Sequence, residues 1–196
     1  VAAGMAGGST DAAAAFVGMN QLFSLELSEE ELCKRAVTLG ADIPYCIMGG
    51  TALSEGIGEI LTPLPNMPDC WILIAKPMIN VSTAFVYKNL KAAELTSHPD
   101  IDGMVESIRK QELDGIVRRL ENVLETVTIP NYPIIAEIKN TMLEAGAAGS
   151  LMSGSGPTVF GIFTEEAAAE NAAEKIRNTY NISQVYVTKP YIKTEA

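Results

Sequence analysis

The chain has 196 residues, of which 47% are hydrophobic and 19% charged, enough for one large or two small domains with a substantial core. Fourteen Lys+Arg against 24 Asp+Glu leave a net charge of −10, which argues against nucleic acid as a partner and against a polybasic membrane patch. No apolar run reaches the roughly 18 residues of a membrane-spanning helix, and no signal peptide is recognisable. The three cysteines, Cys33, Cys46 and Cys70, lack metal-type spacing and are expected as buried free thiols in a reducing, cytoplasmic setting.

The first feature along the chain is a glycine-rich turn, Gly4-Met5-Ala6-Gly7-Gly8-Ser9-Thr10-Asp11. Such a turn normally follows a strand and opens a helix, so the sequence is expected to be the C-terminal part of a longer protein. After it, Ala12, Ala15, Phe16, Met19, Leu22 and Phe23 recur at helical spacing, with Ala13, Ala14 and Val17 on the other face. Apolar residues all round predict a buried helix, capped by Ser9, Thr10 or Asp11. Ser28-Glu29-Glu30-Glu31 is a capping box for a second helix carrying Leu32, Ala36 and Leu39, with Gly40 as its stop. Residues 51–55 and 59–64 predict two strands around Gly56-Ile57-Gly58.

Asn66-Met67-Pro68-Asp69 is a candidate boundary, dividing the chain into domains 1–66 and 67–196. Cys70–Ala75 reads as a central strand, with Trp71 in the core. Residues 83–92 predict a helix. The stretch 96–115 is polar and acidic, weakly helical, and is expected on the surface; its His98 carries no assigned role. Ile135, Ile138, Met142 and Ala145 predict an amphipathic helix between Pro133 and Gly146. A strand over 158–163, a helix with Ala169, Ala172, Ala173 and Ile176 inward, and a last strand over 184–188 complete the chain. Without a regular βαβ rhythm, the class is α+β.

Three segments carry chemistry. In the turn at 4–10, glycines allow backbone amides to approach an anion, the following helix offers its positive end, and the Ser9 and Thr10 hydroxyls suit a phosphate oxygen or Mg²⁺. A tight structural turn is the alternative. No Lys or Arg precedes Lys34, so phosphate charge would be met by dipoles and metal. Met152-Ser153-Gly154-Ser155-Gly156-Pro157-Thr158 is a second site of close backbone approach, or an ordinary strand-entry loop. Asp42, in the apolar stretch Leu39-Gly40-Ala41-Asp42-Ile43-Pro44, is either a buried cap or a catalytic base.

These residues resemble a known family. Gly4–Ala13 is similar to the nucleotide-phosphate loop of the GHMP kinases, and Ser153–Phe160 to their third motif. Leu39-Gly40-Ala41-Asp42-Ile43-Pro44-Tyr45-Cys46 and the segment from Gly50 to Leu64 resemble the branch that phosphorylates a cytidine-diphosphate-linked methylerythritol in non-mevalonate isoprenoid synthesis. The resemblance implies a two-lobed fold, with the latter part of an ATP-binding lobe followed by a ferredoxin-like lobe. It implies ATP and Mg²⁺ as cofactors, held by Ala3, Gly4, Met5, Ala6, Gly7, Gly8, Ser9 and Thr10 and by Ser153, Gly154, Ser155 and Gly156, with Ser9 toward the metal. It implies Asp42 as the catalytic residue, also in contact with the substrate, and Thr83 and Tyr87 against the cytidine part.

The family's catalytic Lys and first motif would lie upstream of Val1, so this chain alone is expected to be inactive. The helix after the first loop is then expected to expose apolar faces and to favour self-association. Ala6 stands where many members carry Gly, and a methyl there is expected to require negative φ. Other GHMP enzymes, such as homoserine or mevalonate-type kinases, and a non-catalytic ligand-binding fragment are the rival readings.

Overall fold

Continuous apolar runs in the central strands and apolar residues every third or fourth position in the helices build two separate apolar clusters. The computed structural model describes residues 3–95 and 97–193. The chain divides into two compact units, one holding Ala6–Asn66 with Tyr191–Lys193, the other Met67–Pro190 with Ala3–Met5.

The first unit contains α1 (Gly7–Leu22), α2 (Glu29–Ala36), α3 (Ile43–Met48) and an antiparallel hairpin of β1 (Thr51–Glu55) and β2 (Ile60–Leu64). Ala13, Ala36 and Ile43 form its buried centre, with Phe16, Cys46 and Ile47 against them. The capping box is present: Ser28 Oγ accepts the Glu31 amide at 3.2 Å, and the Glu31 carboxylate accepts the Ser28 amide at 2.9 Å. The Ser28 amide, together with the Ser28 hydroxyl donating to the same carboxylate at 3.0 Å, holds the Glu31 carboxyl below the usual carboxylate range.

Helix α1 is not buried all round as its composition alone predicts; it exposes apolar residues, as expected from the family resemblance. Only Ala13 on it is buried, while Met19 and Leu22, and Phe23 just beyond its end, are 55%, 77% and 62% exposed. Within this unit α1 is covered by α2 and α3 on one side only. Nor do Ser9, Thr10 or Asp11 cap it. The helix starts at Gly7 with Ala6 at the cap position and no side-chain cap, and Thr10 Oγ1 donates back to the Ala6 carbonyl at 3.1 Å. Ala6 sits at φ 45°, not at negative φ; a left-handed alanine costs about 1–2 kcal/mol.

The second unit carries a four-stranded antiparallel sheet in the order β4-β5-β3-β6, from β3 (Trp71–Ala75), β4 (Gly149–Met152), β5 (Val159–Phe163) and β6 (Val185–Thr188). With helices between β3 and β4 and α9 (Glu166–Tyr180) between β5 and β6, this is the ferredoxin-like topology expected. Leu73, Phe163, Ile135, Ile138, Met142 and Ile176 are fully buried between the sheet and its helices. Trp71 is half-buried at the edge of that core, with the Lys189 ammonium 4.8 Å from its ring centre.

Helix α4 (Thr83–Asn89) ends sooner than the predicted 83–92, because Leu90 is extended; a short 3₁₀ turn follows at Ala92–Glu94. The stretch expected as weakly helical surface holds two real helices, α5 (Ile101–Arg109) and α6 (Leu113–Val117), which bury Ser107, Ile108, Gly115 and Ile116. Their polar residues are structural. Asp100 accepts the Gly103 amide at 2.9 Å and the Arg119 guanidinium at 2.7 Å, which lower its pKa. Thr96 lies outside the described residues. Two further helices, α7 (Glu125–Asn131) and α8 (Ile134–Glu144), lead into β4. All three cysteines are free, as expected, but only Cys70 is buried; Cys33 and Cys46 are half-buried.

Among the described residues, the Thr158 hydroxyl is the one buried side-chain polar atom without a hydrogen-bond partner. Thr158→Val keeps the shape and removes the orphan, whose burial costs about 1–3 kcal/mol. Thermal unfolding should show an equal or higher melting temperature; a drop of several degrees would reveal a partner for that hydroxyl.

Candidate active site

Within the second unit, the tight connection from β4 to β5 forms a loop, Ser153-Gly154-Ser155-Gly156, before Pro157. Two of its residues require left-handed backbone, Gly154 at φ 55° and Gly156 at φ 84°. The loop closes on itself through the Ser153 amide donating to Thr158 O at 2.8 Å and the Gly156 amide donating to Ser153 O at 2.9 Å. Gly4 lies against it: Ser153 Oγ donates to the Gly4 carbonyl at 2.5 Å. A Cβ on Gly4 would stand 2.1 Å from Ser153 O, so only glycine fits there.

The loop's carbonyls are occupied. The Asn122 side-chain amide donates to Met152 O and to Gly154 O, both at 2.8 Å, and Thr128 Oγ1 donates to Ser155 O at 3.3 Å. The Glu125 carboxylate accepts the Met152 amide at 2.8 Å and pairs with Lys139 at 2.5 Å. Among the described residues, no acceptor pairs the amides of Gly154 and Ser155. Unpaired main-chain donors on a glycine-rich turn form an anion-binding concavity.

Two expected site residues meet here. Thr83, the first residue of α4, shares a 2.8 Å hydrogen bond with Ser155 Oγ. Ser155 is itself buried, so its hydroxyl is committed to Thr83. Tyr87 lies one turn further along α4 and is 61% exposed, a ring with its surface available rather than a packing residue.

In the first unit, Gly7, Gly8 and Ser9 form the first turn of α1. Their amides have no acceptor among the described residues, as helix geometry dictates for uncapped first turns. Cβ atoms on Gly7 or Gly8 would meet nothing within 4 Å. The fold therefore does not need glycine there, unlike at Gly4. Ala3 and Gly4 are half-buried, and Met5 is exposed at 45%.

Asp42 occupies the cap position of α3 without capping it. It is exposed, not buried, and its carboxylate makes no hydrogen bond or ion pair among the described residues. The β1–β2 turn lies beside it: a Cβ on Gly58 would be 3.8 Å from Asp42 Oδ1 and 3.8 Å from Ser54 Oγ. The turn is held by Ser54 Oγ donating to Gly58 O at 2.8 Å and by the Glu59 carboxylate accepting the Ile57 amide at 2.7 Å.

No group of three or more His, Cys, Asp or Glu side chains converges into a metal cage among the described residues. Mg²⁺ in phosphoryl-transfer sites takes one or two protein oxygens and the rest from phosphates and water, and the half-buried Ser9 hydroxyl in the first turn of α1 is compatible with that mode. Asn122, Glu125 and Thr128 were not singled out by sequence. Asn-x-x-Glu ahead of an apolar run does carry a helix-start signal, and Asn122 Oδ1 accepts the Leu124 amide at 3.0 Å, but its grip on a loop thirty residues away leaves no local trace.

Comparison with known proteins places these features in one class. Residues 1–50 match the family model described as GHMP kinases N terminal domain, and residues 92–182 the one described as GHMP kinases C terminal. The chain belongs to the GHMP kinase family. Within it, the chain is 54% identical over 191 residues to a 4-diphosphocytidyl-2-C-methyl-D-erythritol kinase of Lachnospira eligens, covering 97% of this chain and 66% of that protein. It is 59% identical over 172 residues to the protein of the same name from Lachnoclostridium phytofermentans, covering 88% and 59%. A crystal structure of 4-(cytidine 5'-diphospho)-2C-methyl-D-erythritol kinase superposes with a TM-score of 0.80 at 29% identity, over 96% of this chain and 66% of that one. A homoserine kinase from Cytophaga hutchinsonii shares the fold, with a TM-score of 0.82 at 21% identity over 98% of this chain and 67% of that one. The chain thus spans 59% to 66% of the length of these two curated relatives.

The two kinds of glycine separate in a mutational test. Gly4→Ala should destabilise by about 1–3 kcal/mol through overpacking and left-handed strain, and should expose the N-terminal residues to proteolysis. Gly7→Ala should leave the melting temperature unchanged or raise it, since alanine favours helix over glycine by up to about 1 kcal/mol. Equal effects in both variants would contradict the distinction.

Proposed function

We propose that this chain is the larger part of a kinase that transfers the γ-phosphoryl group of ATP to the 2-hydroxyl of 4-diphosphocytidyl-2-C-methyl-D-erythritol, in the cytoplasm. The unpaired amides at both glycine-rich segments carry the reading. Gly7–Ser9 and Gly154–Ser155 offer main-chain donors with no competing acceptor, and Gly7 and Gly8 are glycines that the fold itself does not require. The naming of the relatives at 54% and 59% identity supports the substrate.

Phosphoryl transfer leaves the protein chiefly positioning and charge stabilisation. In this reading the amides of each segment are donors for phosphate oxygens, and at the first segment the dipole of α1 adds positive potential. The Ser9 hydroxyl is the group of this chain that would meet Mg²⁺, which when bound neutralises phosphate charge. Asp42 accepts the proton of the attacking hydroxyl as its oxygen bonds to phosphorus and the bond from the γ-phosphorus to the bridging oxygen breaks. Thr83 and Tyr87 bind the cytidine side, Tyr87 by stacking on the base. The exposed Met19, Leu22 and Phe23 support self-association of this chain when isolated.

In the full-length protein, Asp42→Asn should lower kcat by ~10²–10⁴, the range for a positioned general base, with ATP affinity by isothermal titration unchanged. Turnover near wild type would remove Asp42 from the mechanism. Gly7→Val should weaken ATP binding while leaving the melting temperature unchanged; equal affinity would reduce the first loop to a turn.

A further inference from the structure

The peptide group is planar, and in its trans form the C=O and N–H point in opposite directions. Whatever holds a carbonyl therefore aims the amide of the next residue. Among the described bonds around the second glycine-rich loop, only Gly156–Pro157 is cis, so the rule applies at Met152–Ser153, Ser153–Gly154 and Gly154–Ser155.

The Asn122 side chain sits at the centre of this arrangement. Its two N–H donors take Met152 O and Gly154 O at 2.8 Å each, and its oxygen is engaged by the Leu124 amide at 3.0 Å. Both donors and the oxygen of one half-buried amide group are thus engaged by main chain. The Met152 carbonyl turned to Asn122 sends the Ser153 amide the other way, where it meets Thr158 O at 2.8 Å. The Gly154 carbonyl turned to Asn122 sends the Ser155 amide the other way too, and there it meets no acceptor among the described residues. The Ser153 carbonyl is taken by the Gly156 amide at 2.9 Å, and the Gly154 amide on the same peptide is likewise unpaired. Glu125 adds a second grip, accepting the Met152 amide at 2.8 Å while its other oxygen pairs with Lys139.

We propose that Asn122 is a positioning residue for phosphate binding: by holding the Met152 and Gly154 carbonyls it orients the Ser155 amide for a phosphate oxygen, with Glu125 fixing the start of the same loop. The proposal rests on the kinase reading above, and names a residue that acts through the loop rather than on the substrate. Without Asn122 the peptide Gly154–Ser155, flanked by glycines, is able to rotate, and its amide loses its fixed direction. Preorganised donors cost no reorganisation when charge arrives. Losing one well-aimed bond to a charged oxygen corresponds to about tenfold or more in affinity.

The test is Asn122→Ala in the full-length protein, with steady-state kinetics in both substrates. KM for ATP should rise about tenfold or more, with kcat and KM for the alcohol moving much less. Ile135→Val, a fully buried core position remote in role, serves as the stability control: it should lower the melting temperature without moving KM for ATP. Glu125→Ala should raise KM for ATP, and Glu125→Gln, which keeps an acceptor for the Met152 amide, should recover most of that loss although it leaves Lys139 unpaired. A wild-type KM for ATP in Asn122→Ala, or an equal rise for both substrates, overturns the proposal. If the wild-type protein itself transfers no phosphate, the kinase reading fails, and hydrogen exchange decides the positioning role alone. Faster exchange of the Ser153 amide in Asn122→Ala, with β3 and α9 unchanged, supports the role; unchanged Ser153 exchange overturns it.

Discussion

The close approach of Gly4 to the Ser153 carbonyl is the constraint on which the rest of the second unit's loop depends. A Cβ at position 4 would stand 2.1 Å from that oxygen, and φ of 72° at Gly4 excludes most other residues as well. The contact brings the start of the chain against a turn almost 150 residues later. Ser153 then serves twice, donating its hydroxyl to Gly4 O and accepting the Gly156 amide at its own carbonyl. Once Asn122 and Thr128 have taken the neighbouring carbonyls, the Ser153, Gly154 and Ser155 carbonyls are spent while the Gly154 and Ser155 amides stay unpaired. A segment so arranged favours anions without any charged side chain.

That arrangement fits a strongly acidic protein. With a net charge of −10, the general field of the surface repels a triphosphate rather than steering it. Local main-chain donors are a way to hold phosphate against such a field, because their dipoles act at short range where the screened surface charge is weak. The same logic explains a first loop with no basic residue before Lys34. Two of its glycines, Gly7 and Gly8, face open space, so the fold itself does not require glycine there.

The sequence was legible where a local pattern decides local structure. The capping box of α2, the continuous apolar run of β3, the alanine face of α9 and the α+β class follow from local pattern alone, and both glycine-rich segments were visible as motifs. Less was legible where distant contacts decide. α1 reads as buried because its composition is apolar all round, yet burial is set by what surrounds a helix, and α2 and α3 cover one side of it. The stretch 96–115 reads as surface because it is polar and acidic, but Asp100 and Arg119 cap and bridge two short helices whose Ile108 and Ile116 are buried. Ala6 reads as requiring negative φ, and the tight entry into α1 imposes the opposite. Asn122 carries no signal in the sequence, because its bonds to Met152 O and Gly154 O lie about thirty positions away and no periodicity announces them.

The claim that unites these features is that unpaired main-chain amides on both glycine-rich segments receive the phosphates of a nucleotide. Amide chemical shifts of the isotopically labelled full-length protein, titrated with Mg-ATP, test it most directly. The account predicts the largest saturable shifts at Gly7, Gly8 and Ser9 and at Gly154 and Ser155, with Ser153, already paired to Thr158, moving less. Saturable binding that leaves both groups of amides unshifted would contradict it.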